Sequence, residues 1–218
     1  MTPTFEQPSD AYWVALEQAK IAHFDRRSFS GTTCYRSYRR LIKFVQQHRP
    51  KTALDYGCGK GRQLTDVGIV LKTKEKLIMV NSWREALRLD KLYGYDPAWP
   101  YLDKLPHTLD PRHKGYDPAG GVDLVYSTDV LEHIPASDLP WVIQRMSDMA
   151  KKCIFLNAAS YPAKKSMENG DNAHYTVESP DWWHDIVRRN ITKRGVHWEL
   201  FVTLGHGKGT AREYKGVG

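Results

Sequence analysis

The sequence is short of cysteine: Cys34, Cys58 and Cys153 are all it has among 218 residues, and no two form a Cys-x-x-Cys pair. That excludes a disulfide framework and speaks against a structural zinc site or a dithiol redox couple, so three free thiols are expected. Nowhere do about 20 apolar residues run together, which leaves no candidate for a membrane-spanning helix and no membrane partner. The first residues, Met1 to Glu6, lack the basic-then-apolar order of a secretory signal, and the expected location is the cytoplasm. Internal repeats and low-complexity tracts are also missing. Acidic residues are outnumbered, 25 against 32 Lys and Arg, for a formal charge of +7.

Hydrophobic residues make up 41% of the chain, enough for one sizeable core, and a single domain over 1–218 is the expectation. Much of the basic excess falls in one stretch, where Lys20, Arg26, Arg27, Arg36, Arg39, Arg40, Lys43, Arg49 and Lys51 are opposed only by Asp25. Such a patch either attracts phosphates or is a solvated helix face. From Ala11 to Arg49 the pattern is helical, with Tyr38, Leu41, Ile42 and Val45 on one face and Pro50 as the stop. Residues 1–50 thus read as a helical N-terminal extension, 51–204 as the core, and the Gly- and Lys-rich 205–218 as a flexible tail.

Short apolar runs at Thr52–Tyr56, Val122–Tyr126 and Cys153–Asn157 suit buried parallel strands, with an amphipathic helix at Leu139–Lys152 and a helical stretch at Asp181–Arg189 between and after them. Trp198–Leu204 is expected to be the closing strand. The second strand has two candidates, Lys76–Val80 and Leu92–Tyr95, and Pro97 to Gly121 reads as a long loop over a binding face. Alternating strands and helices predict an α/β fold with a mostly parallel sheet and ligands beyond the carboxyl ends of its strands.

The densest signal is Leu54-Asp55-Tyr56-Gly57-Cys58-Gly59-Lys60-Gly61-Arg62, a strand running into closely spaced glycines and then a helix. Glycines let the backbone turn sharply and approach a ligand. The spacing is G-x-G-x-G and not the G-x-G-x-x-G of dinucleotide sites, which disfavours a nicotinamide oxidoreductase. With the acidic Asp55 before the turn, the segment resembles motif I of class I S-adenosylmethionine-dependent methyltransferases. Val122 to Pro135 closely resembles the fourth-strand segment of the methyltransferase type 11/23 group, which ends D-V-L-E-H-I-P.

The resemblance spans residues 52–135 and implies a Rossmann-like class I fold, S-adenosyl-L-methionine as methyl donor and S-adenosyl-L-homocysteine as product. It places Asp55, Tyr56, Gly57, Cys58, Gly59, Lys60 and Gly61 around the cofactor, with Ser127, Thr128 and Asp129 near its sulfonium. It also implies an acidic residue at the end of the second strand to accept both ribose hydroxyls. Asp96, followed by Pro97, fills that position if the strand is Leu92–Tyr95, and Asn81 offers an amide if it is Lys76–Val80. The usual third-strand contact to adenine has no evident counterpart.

Methyl transfer needs nucleophile, methyl and sulfur held in line. For a hydroxyl acceptor a base is needed, with His133 first, Asp129 and His174 behind it, and turn packing as the other reading of His133. His174, Trp182 and Trp183 wall an acceptor pocket, or the tryptophans serve core packing. Glu132, His133 and His174 are similar to the metal set of small-RNA 2′-O-methyltransferases and some ubiquinone-pathway O-methyltransferases. The first acidic position here, Asp129, departs from the small-RNA pattern, so a divalent metal is not favoured. The expected reaction is methylation, oxygen before nitrogen, of a small or medium metabolite. The alternatives are a nucleic-acid methyltransferase using the basic stretch and a non-catalytic cofactor-binding module.

Overall fold

The computed structural model describes residues 1–25, 29, 37–72, 77–99, 101, 121–205 and 211–218. The chain begins with two helices, α1 (Asp10–Phe24) and α2 (Tyr38–His48). The continuous helical pattern from Ala11 to Arg49 therefore breaks: Asp25 is extended, and Arg26, Arg27, Cys34 and Arg36 lie outside the described residues. Ser9 caps α1 by accepting from the Tyr12 amide at 3.1 Å, and Arg49, left-handed at φ 47°, ends α2 ahead of Pro50.

The strand elements are β1 (Thr52–Tyr56), β2 (Ile69–Lys72), β3 (Leu77–Val80), β4 (Lys91–Tyr95), β5 (Val122–Thr128), β6 (Ala150–Ala159), β7 (His197–Thr203) and β8 (Ala211–Val217). Short helices α3 (Arg62–Thr65) and α4 (Trp83–Ala86) and longer ones α5 (Leu139–Met149) and α6 (Pro180–Asn190) complete the order. Among the described residues the main sheet runs β4-β1-β5-β6-β7-β8, parallel throughout except that β8 lies antiparallel on β7.

The two candidates for the second strand part ways here. Lys91–Tyr95 pairs with β1 over its whole length, whereas Leu77–Val80 forms a separate antiparallel hairpin with β2. Asn81 stays outside the main sheet, exposed, and its carbonyl accepts from the Gly68 amide at 3.1 Å. The loop expected from Pro97 to Gly121, where a third strand would also fall, lies largely outside the described residues.

Strand residues alternate between two cores, as the period of two requires. Leu54, Val125, Ile154 and Leu156 pack under α5 and α6, while Ala53, Leu124, Cys153 and Phe155 face Leu41, Phe44 and Val45 of α2. Helix α2 is thus part of the core and not of an appended extension. Val142, Ile143, Met146 and Met149 form the buried face of α5, as their spacing predicts. Among the described residues no helix is long and apolar enough to cross a membrane.

The expectation of a flexible tail is corrected at 211–217. All 7 residues of β8 pair with β7, which is consequently not the closing strand. Its charges mark a one-sided edge strand: Gly216 lies flat against the Trp198 indole, Tyr214 stacks on His184 at 4.5 Å, and Arg212 reaches Asp181. Lys and Glu on the open face suppress the apolar pattern by which a strand is recognised.

Candidate active site

From β1 the chain crosses to β4 on one side and returns to β5 on the other, so strand order reverses at β1 and a crevice opens beyond the carboxyl ends of these strands. A cavity of about 570 Å³ occupies that place. Its floor is Asp55, Tyr56, Gly57 and Gly59 from the end of β1, Asp96, Pro97 and Ala98 after β4, and Thr128, Asp129 and Val130 after β5.

Gly57 adopts φ +85°, and a Cβ there would stand 2.4 Å from a Val130 methyl. Only glycine fits a turn that crowded. Asp96 is 9% exposed; its Oδ2 accepts from the Gly59 amide at 2.8 Å and its Oδ1 from the Ala98 amide at 2.9 Å. These amides lock the carboxylate against the glycine turn and leave a further lone pair on each oxygen, the acceptor pair that a ribose diol requires. Not every residue of the motif reaches the cavity. The Cys58 side chain points behind the loop against Gly94, the Lys60 ammonium reaches the Asp25 carbonyl, Gly61 starts α3, and Ser127 is buried in β5. Burial pushes the Cys58 thiol well up, so it is not a nucleophile; Cys58 and Cys153 are free thiols.

Asp55 is fully buried, and burial raises its carboxyl to about 7 against the opposing hydrogen bonds from Gln63 and Tyr126. At the other end of the cavity stand Asp129, His133 and His174. Asp129 holds φ +62°, an uncommon conformation for a residue with a Cβ, and such outliers gather at functional sites. The His133 Nδ1 is 2.6 Å from the Ala173 carbonyl and the His174 Nδ1 is 2.6 Å from the Tyr161 carbonyl. A carbonyl only accepts, so each Nδ1 carries a proton. Burial lowers the His133 pKa against the pull of Asp129 and keeps this imidazole neutral.

Glu132 is completely buried just behind this wall. Its Oε1 accepts from the Ala159 amide at 3.0 Å, and its carboxyl shares a hydrogen bond with that of Asp129. Burial first and the Asp129 carboxylate second raise its pKa well above the usual carboxylate range. The sequence-derived metal trio of Glu132, His133 and His174 is rearranged: the donor atoms that converge are those of Asp129, Glu132 and His174.

The tryptophan wall is corrected as well. Trp183 is fully buried in the core, and Trp182 packs against that core on the outer side of α6, away from the cavity. The residue pattern of α6 explains this, since Trp183 and Val187 fall on the face turned to the sheet. What closes the cavity is α1, whose Tyr12, Ala15, Leu16, Ala19, Ala22 and His23 line it. Their i, i+3, i+4, i+7 spacing was visible in the sequence, but small side chains give it little amphipathic contrast. His23 sits between Phe29, at 4.9 Å, and Trp99, at 5.3 Å, with its Nε2 3.8 Å from Asp96 Oδ1.

A parallel sheet that reverses at β1, a glycine turn at its carboxyl end and a carboxylate on the neighbouring strand define a Rossmann-like α/β methyltransferase. A family model described as a methyltransferase domain matches residues 31–190, and the chain belongs to that family. It is a class I S-adenosylmethionine-dependent methyltransferase. No curated protein matches the sequence. Helix α1 precedes the matched region, and β7 and β8 follow it.

Proposed function

We propose that the enzyme binds S-adenosyl-L-methionine with its ribose on Asp96 and methylates an oxygen of a small or medium metabolite held beside Asp129, His133 and His174. The observation that carries this reading is the continuity of one cavity from the Asp96 carboxylate to the His133 imidazole. At about 570 Å³ it falls within the ordinary range for small-molecule sites, roughly 300 to 1,000 Å³. S-adenosyl-L-methionine supplies a methyl group on an already activated leaving group. The chain's own part is to orient the two reactants and exclude water, which α1 does by covering the cavity.

His133 suits the role of base. Its Nδ1 is held by the Ala173 carbonyl, its Nε2 lone pair is free, and it is neutral at physiological pH. Oxygen is favoured over nitrogen as the acceptor atom because a hydroxyl needs such a base. The basic stretch lends little support to a nucleic-acid substrate: Lys20 pairs with Glu17, Arg40 lies over the Phe201 ring at 4.8 Å, and Lys51 is 4.0 Å from Asp90.

Calorimetric titration with S-adenosyl-L-homocysteine tests the cofactor half. Wild-type protein binds it, and Asp96→Ala weakens binding by about 1 to 3 kcal/mol through loss of the ribose hydrogen bonds. Undiminished affinity in the variant refutes the role given to Asp96. Methyl uptake into oligonucleotides but into no hydroxyl-bearing metabolite would overturn the acceptor half.

A further inference from the structure

We propose that the outer face of α1 pairs antiparallel with the same face of a second copy of this chain, forming a two-fold dimer through Trp13, Glu17, Lys20 and Phe24. Helix α1 is apolar on two sides. Its inner side, with Ala15, Leu16, Ala19 and Ala22, lines the cavity. Its outer side carries Trp13, 50% exposed, and Phe24, 71% exposed, together with the exposed Val14 and Ile21. A surface helix ordinarily keeps one polar face, and a helix that is apolar all round is a buried one. Exposed apolar residues scattered singly mean nothing, but four large ones on a helix of 15 residues make a patch of the kind that marks an interaction site.

The order of residues on that face identifies its occupant. Trp13, Glu17, Lys20 and Phe24 follow one another at intervals of 4, 3 and 4, the alternation by which one helix presents a seam to another. Between Trp13 and Phe24 the helix makes about three turns, so the four side chains form one stripe about 16 Å long. The stripe reads apolar, acidic, basic, apolar, and reversed it is its own complement. A two-fold axis crossing α1 between Gln18 and Ala19 sets Trp13 against the partner's Phe24 and Glu17 against the partner's Lys20. Such a face, matched to itself by rotation, is what a closed dimer requires.

The central charges decide orientation. Within one chain Lys20 already pairs with Glu17, both partly exposed, and the antiparallel partner adds a second opposite charge to each. A parallel partner would set Glu17 on Glu17 and Lys20 on Lys20, which repels. An acid in the middle of the apolar stripe also disfavours a lipid surface, where helices bury an uninterrupted apolar face.

Helix α1 is fastened to its own protomer at both ends, Ser9 to Asp138 and Asp25 to Lys165, so the seam is presented on a fixed support. One helix offers less than the roughly 800 Å² per partner of a standard interface, and the dimer is therefore reversible. The inner side of α1 stays on the cavity, so each protomer keeps its own site. The pairing does not depend on what the enzyme methylates.

The test is sedimentation velocity of the full-length protein from roughly 1 to 300 µM, with circular dichroism to check folding of each variant. The wild type is expected to move from one chain toward two as concentration rises. Trp13→Glu and Phe24→Glu stay monomeric. Glu17→Lys and Lys20→Glu each weaken association at least about tenfold, and the double reversal Glu17→Lys/Lys20→Glu restores it, because the exchanged charges still meet their opposites. Should a glutamate variant at Trp13 or Phe24 fail to fold, the charge reversals decide. A wild type that is monomeric throughout, including one that associates instead with phosphatidylglycerol vesicles, overturns the proposal. So does a dimer that survives Trp13→Glu, or a double reversal that associates no better than either single one.

Discussion

Asp55 makes the stability of this enzyme depend on pH in a way that one substitution isolates. Its carboxyl is fully buried at the end of β1, with its pKa raised from 3.8 to about 7 mainly by burial. Between those two values the folded protein keeps a proton that the unfolded chain has released. The contribution of the group is therefore intact at low pH and is lost as pH rises toward and through 7. A shift from 3.8 to about 7 corresponds to roughly 4 kcal/mol at its full extent. Asp55→Asn keeps the side-chain shape and an oxygen for the Gln63 amide but cannot ionise.

Urea denaturation of both proteins without cofactor, at intervals from pH 5 to pH 9, reads the difference directly. Glu132 and His133 also titrate with shifted values, but they are common to both proteins and cancel on subtraction. The advantage of Asp55→Asn grows by about 1.4 kcal/mol per pH unit up to pH 7 and levels off above it. A difference that stays constant between pH 5 and pH 8 refutes the reasoning, because Asp55 would then ionise in the folded state as it does in the unfolded one.

Gly57→Ala places a methyl 2.4 Å from Val130 in a left-handed backbone, so calorimetry should show S-adenosyl-L-homocysteine binding abolished, with partial recovery in Gly57→Ala/Val130→Ala. His133→Gln should lower kcat about 10² to 10⁴-fold once an acceptor is in hand, with nucleoside affinity unchanged; loss of affinity alone would assign His133 to packing. Removing residues 206–218 strips β8 from β7 and exposes a sheet edge together with the Trp198 indole. The truncated protein should unfold at lower urea concentration and aggregate, whereas an unchanged midpoint would mean that β8 contributes nothing to stability.

The floor of the site was legible because its chemistry is local. A buried strand followed by G-x-G-x-G, and a second strand ending in D-V-L-E-H-I-P, each place ligand-facing groups within a few residues of a recognisable pattern. The rest required distant segments. Trp182 and Trp183 follow the His174 segment closely, yet the helical period of α6 carries one into the core and the other outward. His23 lies 73 positions before Asp96 and approaches it only because α1 crosses the cavity. Ser9 helps fix that crossing through its hydrogen bonds to Asp138, a contact between residues 129 positions apart that no window of sequence reveals.

By itself the sequence determined the α/β class, the strand–glycine–helix turn, the parallel core strands and the family, since these follow from periodicities and motifs that act over a few residues. Tertiary structure alone decided which of the two candidate segments pairs with β1, made β8 a strand, turned α1 into the cover of the cavity and brought Asp129, Glu132 and His174 together. Each of those outcomes depends on which surface a segment buries against, and burial is a property of the folded assembly of segments and not of any one of them.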